Sequence, residues 1–286
     1  MNRPNLFSYG TSELSQDAFL CWLMDWANPQ FSALDPNLHH IGKKFIEAIF
    51  KKHQQPVPTI ENVSIIKQLD GLDILAVIND KYAILIEDKT YTNDHTNQLI
   101  RYCEAMKKRG YNYQLPIYYK IGNQSSFHTV ETAGYKPFLR QDMLAILHEG
   151  YKLNIKDTIF NDYYQHLLSI DKAFNKYKTH PLNKWEELSW QGFYSELQKK
   201  GILGDWDYVS NPRGGFYGFW WNWGGNDECR QYLQLEQEKL CFKIEVSNKE
   251  KRSQLRSTWC QKILEKSRDF QLPVKRPSRF GNGKLF

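Results

Sequence analysis

GLDILAVINDKYAILIEDKTYT, from Gly71 to Thr92, decides how this chain is read. Two apolar runs flank the turn tripeptide Asn79-Asp80-Lys81. The segment therefore predicts two antiparallel strands, Asp73 to Ile78 and Tyr82 to Lys89. With Asp80 at the centre, Asp73 lies seven residues before it and Glu87 seven after. In an antiparallel pair that symmetry sets the two carboxylates opposite each other, where like charges repel unless a cation compensates. Side chains alternate along a strand, so Glu87 and Lys89 share a face and Asp88 turns away. Two hard oxygen donors and an ammonium then occupy a small volume, which suits a magnesium ion beside an acid/base or water-orienting group. The same spacing also fits a surface hairpin whose charges form weak, exposed ion pairs. Against that, Tyr82-Ala83-Ile84-Leu85-Ile86 is apolar throughout, as in a strand covered on both faces. Such a strand carries the charges that follow it to the edge of a sheet, where sites in α/β proteins collect.

The flanking sequence supplies the rest of a mixed α/β domain. A helix is expected from Ser12 to Ala27, with Ser12 as N-cap and Leu14, Ala18, Cys21 and Met24 as its stripe. A loop from Asn28 to Leu38 precedes a second helix, Ile41 to Lys52. Val63 to Leu69 reads as a strand ahead of the hairpin. After the hairpin, Asp94 or Thr96 can cap a helix that runs to Arg109, with basic residues in its last turn and Gly110 as the stop. Leu115 to Ile121 reads as a further strand, and helices follow at Gln141 to Glu149 and Thr158 to Tyr177. The order helix–strand–strand–strand–helix–strand–helix points to a central sheet flanked by helices.

Within that order, Gln98-Leu99-Ile100-Arg101-Tyr102 places Gln98 and Tyr102 at i and i+4, on one face of the third helix. Taken in sequence, Asp73, Glu87-Asp88-Lys89 and Gln98-xxx-Tyr102 resemble the motifs of the PD-(D/E)XK nuclease superfamily, in its RecB-like branch with QxxxY. Leu72 stands where the superfamily's motif has proline. Glu13 to Asp25, ELSQDAFLCWLMD, is similar to the opening helix of uncharacterised bacterial members. The resemblance covers about residues 8–182. It implies a restriction-endonuclease-like core and hydrolysis of phosphodiester bonds, with DNA favoured over RNA, in phage defence or repair. It also implies Mg²⁺, with Mn²⁺ as the alternative, held by Asp73 and Glu87, and by a helical carboxylate for which Glu13 is the first candidate. Asp17, one turn on, and Glu47 on the second helix are alternatives. Lys89 would orient or deprotonate water, Gln98 would position water or a phosphate oxygen, and Tyr102 would brace the helix or touch the nucleic-acid backbone. His95 is a further candidate for a phosphate contact, although a loop histidine is more often incidental. The other reading is a non-catalytic nucleic-acid-binding or regulatory module that keeps the fold.

Composition narrows the class without choosing the substrate. With 41% hydrophobic and 24% charged residues the chain has a normal globular balance. No run approaches the roughly 18 apolar residues of a membrane span, and no signal-type segment opens the chain. The five cysteines are odd in number and form no CxxC pair, as expected of reduced thiols in the cytoplasm. No GxxxxGK[ST], GxSxG or HExxH motif is present, which points away from P-loop, serine-hydrolase and zincin chemistry.

A linker at His180-Pro181-Leu182-Asn183 divides residues 1–182 from a smaller, α+β accessory domain at 183–286. There Lys+Arg number 18 against 13 Asp+Glu, so this part holds +5 of the net +6. It has a helix at Lys184 to Lys200, then a segment GGFYGFWWNWGG at Gly214 to Gly225. A hairpin of Gln231–Glu236 with Leu240–Val246 follows, and then a basic amphipathic helix at Lys251 to Ser267. The aromatic run suits a core strand first, base stacking second and a protein-partner surface third. The basic helix suits either a solvated face or attraction to a polyanion.

Overall fold

The computed structural model describes residues 4–10, 12–91, 97–211 and 214–278. Asp94, His95 and Thr96 lie outside the described residues. The chain forms two compact units, Met1–Asn175 and Lys176–Phe286.

In the first unit, strands β1 (Val63–Leu69), β2 (Leu72–Ile78) and β3 (Tyr82–Lys89) run antiparallel. β4 (Tyr113–Lys120) and β5 (Lys136–Leu139) continue the sheet parallel to β3, in the order β1-β2-β3-β4-β5. The central hairpin turns on Asn79 and Asp80, both at positive φ (55° and 50°), with the Lys81 N–H donating to Ile78 O at 3.1 Å. Asn and Asp tolerate these left-handed conformations best, and with Lys81 they form a three-residue connection between the strands. Its register, Ile78↔Tyr82 through Ile74↔Ile86, is centred on Asp80 as the sequence symmetry predicts.

Helices cover both faces of this sheet. On one face α3 (Gln98–Lys108) packs Tyr102 and Met106 onto Leu72, Leu75, Val77, Ala83 and Leu85. Toward the other lie α1 (Glu13–Asp25), which contacts β1, β2 and β3, and α2 (Pro36–Lys52), which contacts β4. The helices α4 (His128–Thr132), α5 (Arg140–Lys152) and α6 (Thr158–Asn175) complete the unit. α2 begins five residues before the expected Ile41. Asp35 accepts from the N–H groups of Asn37 and Leu38, both at 3.0 Å, and Pro36 occupies the first helical position. An Asp-Pro pair is an N-cap followed by a favoured first residue, so the segment expected as loop already starts the helix. α4 and β5 were not expected from the sequence. Both are short, and Pro137 sits inside the strand.

The second unit is a meander, β6 (Gly204–Asn211), β7 (Gly214–Gly225), β8 (Cys229–Glu236) and β9 (Lys239–Val246), with α7 (Glu187–Lys199) and α8 (Arg252–Asp269). The aromatic run forms β7. Phe219 is fully buried and packs with Tyr217 and Trp221 against Trp190, Tyr194 and Trp206. Trp223, within an irregularity in the β7–β8 pairing, is half exposed and stacks on Tyr232 at 4.1 Å. α8 docks Leu255, Trp259, Ile263 and Leu264 onto Cys229, Ile244 and Val246.

Close approach of α1 and α2 depends on Gly42. A Cβ there would lie 2.6 Å from Leu23 O and 2.8 Å from Ala27 N, both backbone atoms that cannot rotate away. Gly42→Ala gains about 1 kcal/mol of helix propensity but forces the two helices apart. Urea unfolding is expected to show a net loss of about 1–2 kcal/mol; an unchanged or higher midpoint would show that the helices yield freely.

Candidate active site

The end of β3 brings ionisable residues to a place where the sheet is still covered. Glu87 and Asp88 are fully buried, and Lys89 is 8% exposed. Strand alternation sends Glu87 and Lys89 toward α3 and Asp88 toward α1. Lys89 Nζ donates to Glu87 Oε1 at 2.5 Å and to the Asp88 carbonyl at 3.1 Å. From the first turn of α3, Gln98 Nε2 donates to the same Glu87 oxygen at 3.1 Å and to Tyr102 Oη at 2.6 Å. Asp73, at the start of β2, accepts the Asp88 N–H at 2.8 Å, which fixes it across the strand from Glu87. Glu13, at the N-terminus of α1, accepts the Thr90 N–H at 3.0 Å.

Asp73, Glu87, Lys89, Gln98, Tyr102 and Glu13 therefore gather around one strand end. Glu47 pairs instead with Lys51, one turn along α2.

The electrostatics follow from crowding. Burial, and after it the Asp73 carboxylate, push Glu87 up to about 7, although Lys89 pulls the other way. Burial also works against the Lys89 ammonium, but its bond to Glu87, with Asp73 and Glu13 beyond, carries its pKa above that of an ordinary lysine. Lys89 is thus charged at neutral pH. Burial raises the Tyr102 phenol, which stays a neutral hydrogen-bonding group. Tyr102 rests on Gly71, at φ +87°, where a Cβ would come within 3.3 Å of the ring. Asp70, next to it in that turn, takes two hydrogen bonds from Arg109 at 2.6 and 3.0 Å and ties the end of α3 to the β1–β2 turn.

On the other side of β3 is a second acidic group that the sequence reading treated only as an alternative. Gln16 donates its amide to Asp88 Oδ1 and accepts from the Tyr163 hydroxyl at 3.3 Å. Asp17 is 2% exposed. Burial, then Asp73, push it up to about 6, and burial, then Asp17, raise Asp88. Lys120 was also missed. It is fully buried at the end of β4, and the parallel register sets it beside Lys89 on the same face. The expected strand Leu115 to Ile121 contained Lys120, but no signal in the sequence set that strand beside β3.

Glu87 Oε2 is buried without a hydrogen-bond partner. A carboxylate oxygen left open beside a second carboxylate is a costly arrangement that a cation relieves. Among the described residues no group of three His, Cys, Asp or Glu side chains is arranged to hold a metal. The donors at hand are two hard carboxylates, which fits Mg²⁺, an ion that takes one or two carboxylates and keeps several waters.

The comparison with known families agrees with this arrangement. Residues 4–191 match the model of the PD-(D/E)XK nuclease superfamily, and the chain belongs to that superfamily. Its members are nucleases that generally use divalent metal ions, and the mixed five-stranded sheet flanked by helices is consistent with the restriction-endonuclease-like fold. No curated protein and no solved structure matches the chain. Among the described residues no helix is long and apolar enough to cross a membrane.

The raised pKa of Asp17 has a measurable consequence. Its folded value of about 6 lies above the ordinary 3.8. Its contribution to stability is therefore fully present below pH 3.8 and lost as pH rises through about 6. In the presence of chelator, Asp17→Asn is expected to stabilise the protein at pH 8 by about 3 kcal/mol, and to give no gain at pH 3.5. Equal effects at both pH values would mean that the carboxylate is not desolvated.

Proposed function

We propose that this protein is a metal-dependent nuclease of the QxxxY branch that hydrolyses phosphodiester bonds in DNA, and that it serves phage defence or repair. The observation that carries the activity is the buried Lys89–Glu87 pair, with the second Glu87 oxygen open beside Asp73. DNA, and the defence or repair setting, follow from the QxxxY resemblance rather than from the site's geometry.

Asp73 and Glu87 would hold Mg²⁺ or Mn²⁺, with Glu13 as a third carboxylate at the rim. Such an ion, when bound, polarises the phosphate and lowers the pKa of a coordinated water. The chain's own groups do the rest. Lys89, kept charged and in place by Glu87, orients the attacking water and offsets negative charge that builds on the phosphate. Gln98 gives its amide hydrogens to Glu87 and Tyr102, which leaves its Oε1, buried and without a partner, as an acceptor for water. Tyr102 holds Gln98 and seats α3 on the strands. The alternation of β3 keeps Asp88 out of this chemistry and in the hydrogen-bonded group with Gln16.

Linear, circular and single-stranded DNA, and RNA, incubated with protein in Mg²⁺ or Mn²⁺ test the proposal. Cleavage by wild type is expected, with Lys89→Met and Asp73→Asn slower by about 10²–10⁴-fold. If wild type and Lys89→Met leave every substrate equally intact, the enzyme reading fails. DNA binding that persists without cleavage, and is unmoved by Asp73→Asn, identifies a non-catalytic binding module instead.

A further inference from the structure

On the α1 side of the β3 end lies a cavity of about 130 Å³ whose walls include Phe7, Ser12, Gln16, Thr90, Tyr91 and His166. It opens beyond the C-terminal ends of the parallel strands β3 and β4, the position where α/β sheets hold ligands. It also adjoins the acidic site. Thr90 follows Lys89 directly, its N–H is held by Glu13, and Gln16 is bonded to Asp88.

Size and lining together limit what can occupy it. An apolar cavity of roughly 150 Å³ takes a benzene ring, so this one is on the scale of a single ring. Phe7 and Tyr163, 5.0 Å apart between ring centroids, form an aromatic wall, and Tyr91, 54% exposed, stands at the mouth. The Ser12 hydroxyl does not cap α1. The His166 imidazole meets the rings of Phe7 and Tyr163 at 6.0 and 6.3 Å. Burial holds it below the usual histidine range, so it is neutral at pH 7 and offers one donor and one acceptor. Among the described residues no lysine or arginine lines the cavity, and Glu13 stands beside it. A phosphate is therefore disfavoured, and an uncharged heterocycle with hydrogen-bonding edges is favoured.

We propose that this cavity is a nucleobase subsite, which takes the purine or pyrimidine ring of the nucleotide next to the scissile phosphate against Phe7 and Tyr163, with Ser12 and His166 at its polar edge. The proposal rests on the nuclease reading of the adjoining site and sharpens it. A base must leave the stack to enter, so cleavage falls at strand ends and in single strands in preference to the interior of a duplex.

The full-length protein in chelator, titrated with adenosine and thymidine and followed by saturation-transfer NMR, tests the cavity without any cleavage. Saturable binding is expected, weakened about tenfold or more in Ser12→Leu and in His166→Leu. Ser12 is exposed and makes no capping bond, so its variant is expected to fold as wild type does. In Mg²⁺, single-stranded oligonucleotides with one abasic position, moved along the strand, are expected to be cut about tenfold more slowly at the bond beside it. Ser12→Leu should abolish that difference. Absence of saturable nucleoside binding, or cleavage indifferent to the abasic position, overturns the subsite. If wild type cuts nothing, the nuclease reading fails, and nucleoside binding still decides what the cavity holds.

Discussion

Asp73 and Glu87 are brought across from one another by the three-residue turn Asn79-Asp80-Lys81, and the end of the sheet is organised around the cost of that meeting. Glu87 has no access to solvent that would screen the repulsion. One of its oxygens is offset by the Lys89 ammonium and the Gln98 amide, and the other is left open. Removing one partner of such a buried pair leaves an uncompensated charge, which costs several kcal/mol, on the order of 3–5. The register is equally constrained. A slip of one residue would carry Glu87 and Lys89 to the α1 face and put Asp88 under α3.

Around this centre the helices act as braces of different kinds. α3 holds Gln98 and Tyr102 at i and i+4, and its far end is tied down by the Arg109–Asp70 pair. That keeps Gln98 and Tyr102 over the strand end while Gly71 makes room for the phenol. α1 works from the opposite side through Glu13, Gln16 and Asp17, and Gly42 lets it lie close against α2. β3 thus separates two polar groups. One is charged and clamped by Lys89. The other is a hydrogen-bonded set in which burial, and after it Asp73, raise Asp17, while burial, and after it Asp17, raise Asp88.

Much of this was legible in the sequence because its signals are local and periodic. The turn at Asn79-Asp80, the alternation of Glu87-Asp88-Lys89 and the i, i+4 spacing of Gln98 and Tyr102 need nothing beyond a strand and a helix. The start of α2 was misplaced because apolar periodicity was weighed above the Asp35-Pro36 cap. β5 and β6 escaped notice because each is an edge strand with few buried positions, which patterning marks weakly. The neighbours of the site were beyond reach for a different reason. That Lys120 lies beside Lys89, and that Gln16 meets Asp88, depends on which strand sits next to β3 and which face α1 covers, and single-sequence spacing encodes neither.

The central claim is that Asp73 and Glu87 form a pair of hard ligands whose repulsion a divalent cation relieves. Crystals soaked in Mn²⁺ and measured at the manganese edge test it most directly. An anomalous peak is expected between the two carboxylates, at roughly 2.0–2.4 Å from an oxygen of each, and is expected to be lost in Asp73→Asn. A Mn²⁺-saturated crystal with no peak there, or one that persists unchanged in Asp73→Asn, would contradict it.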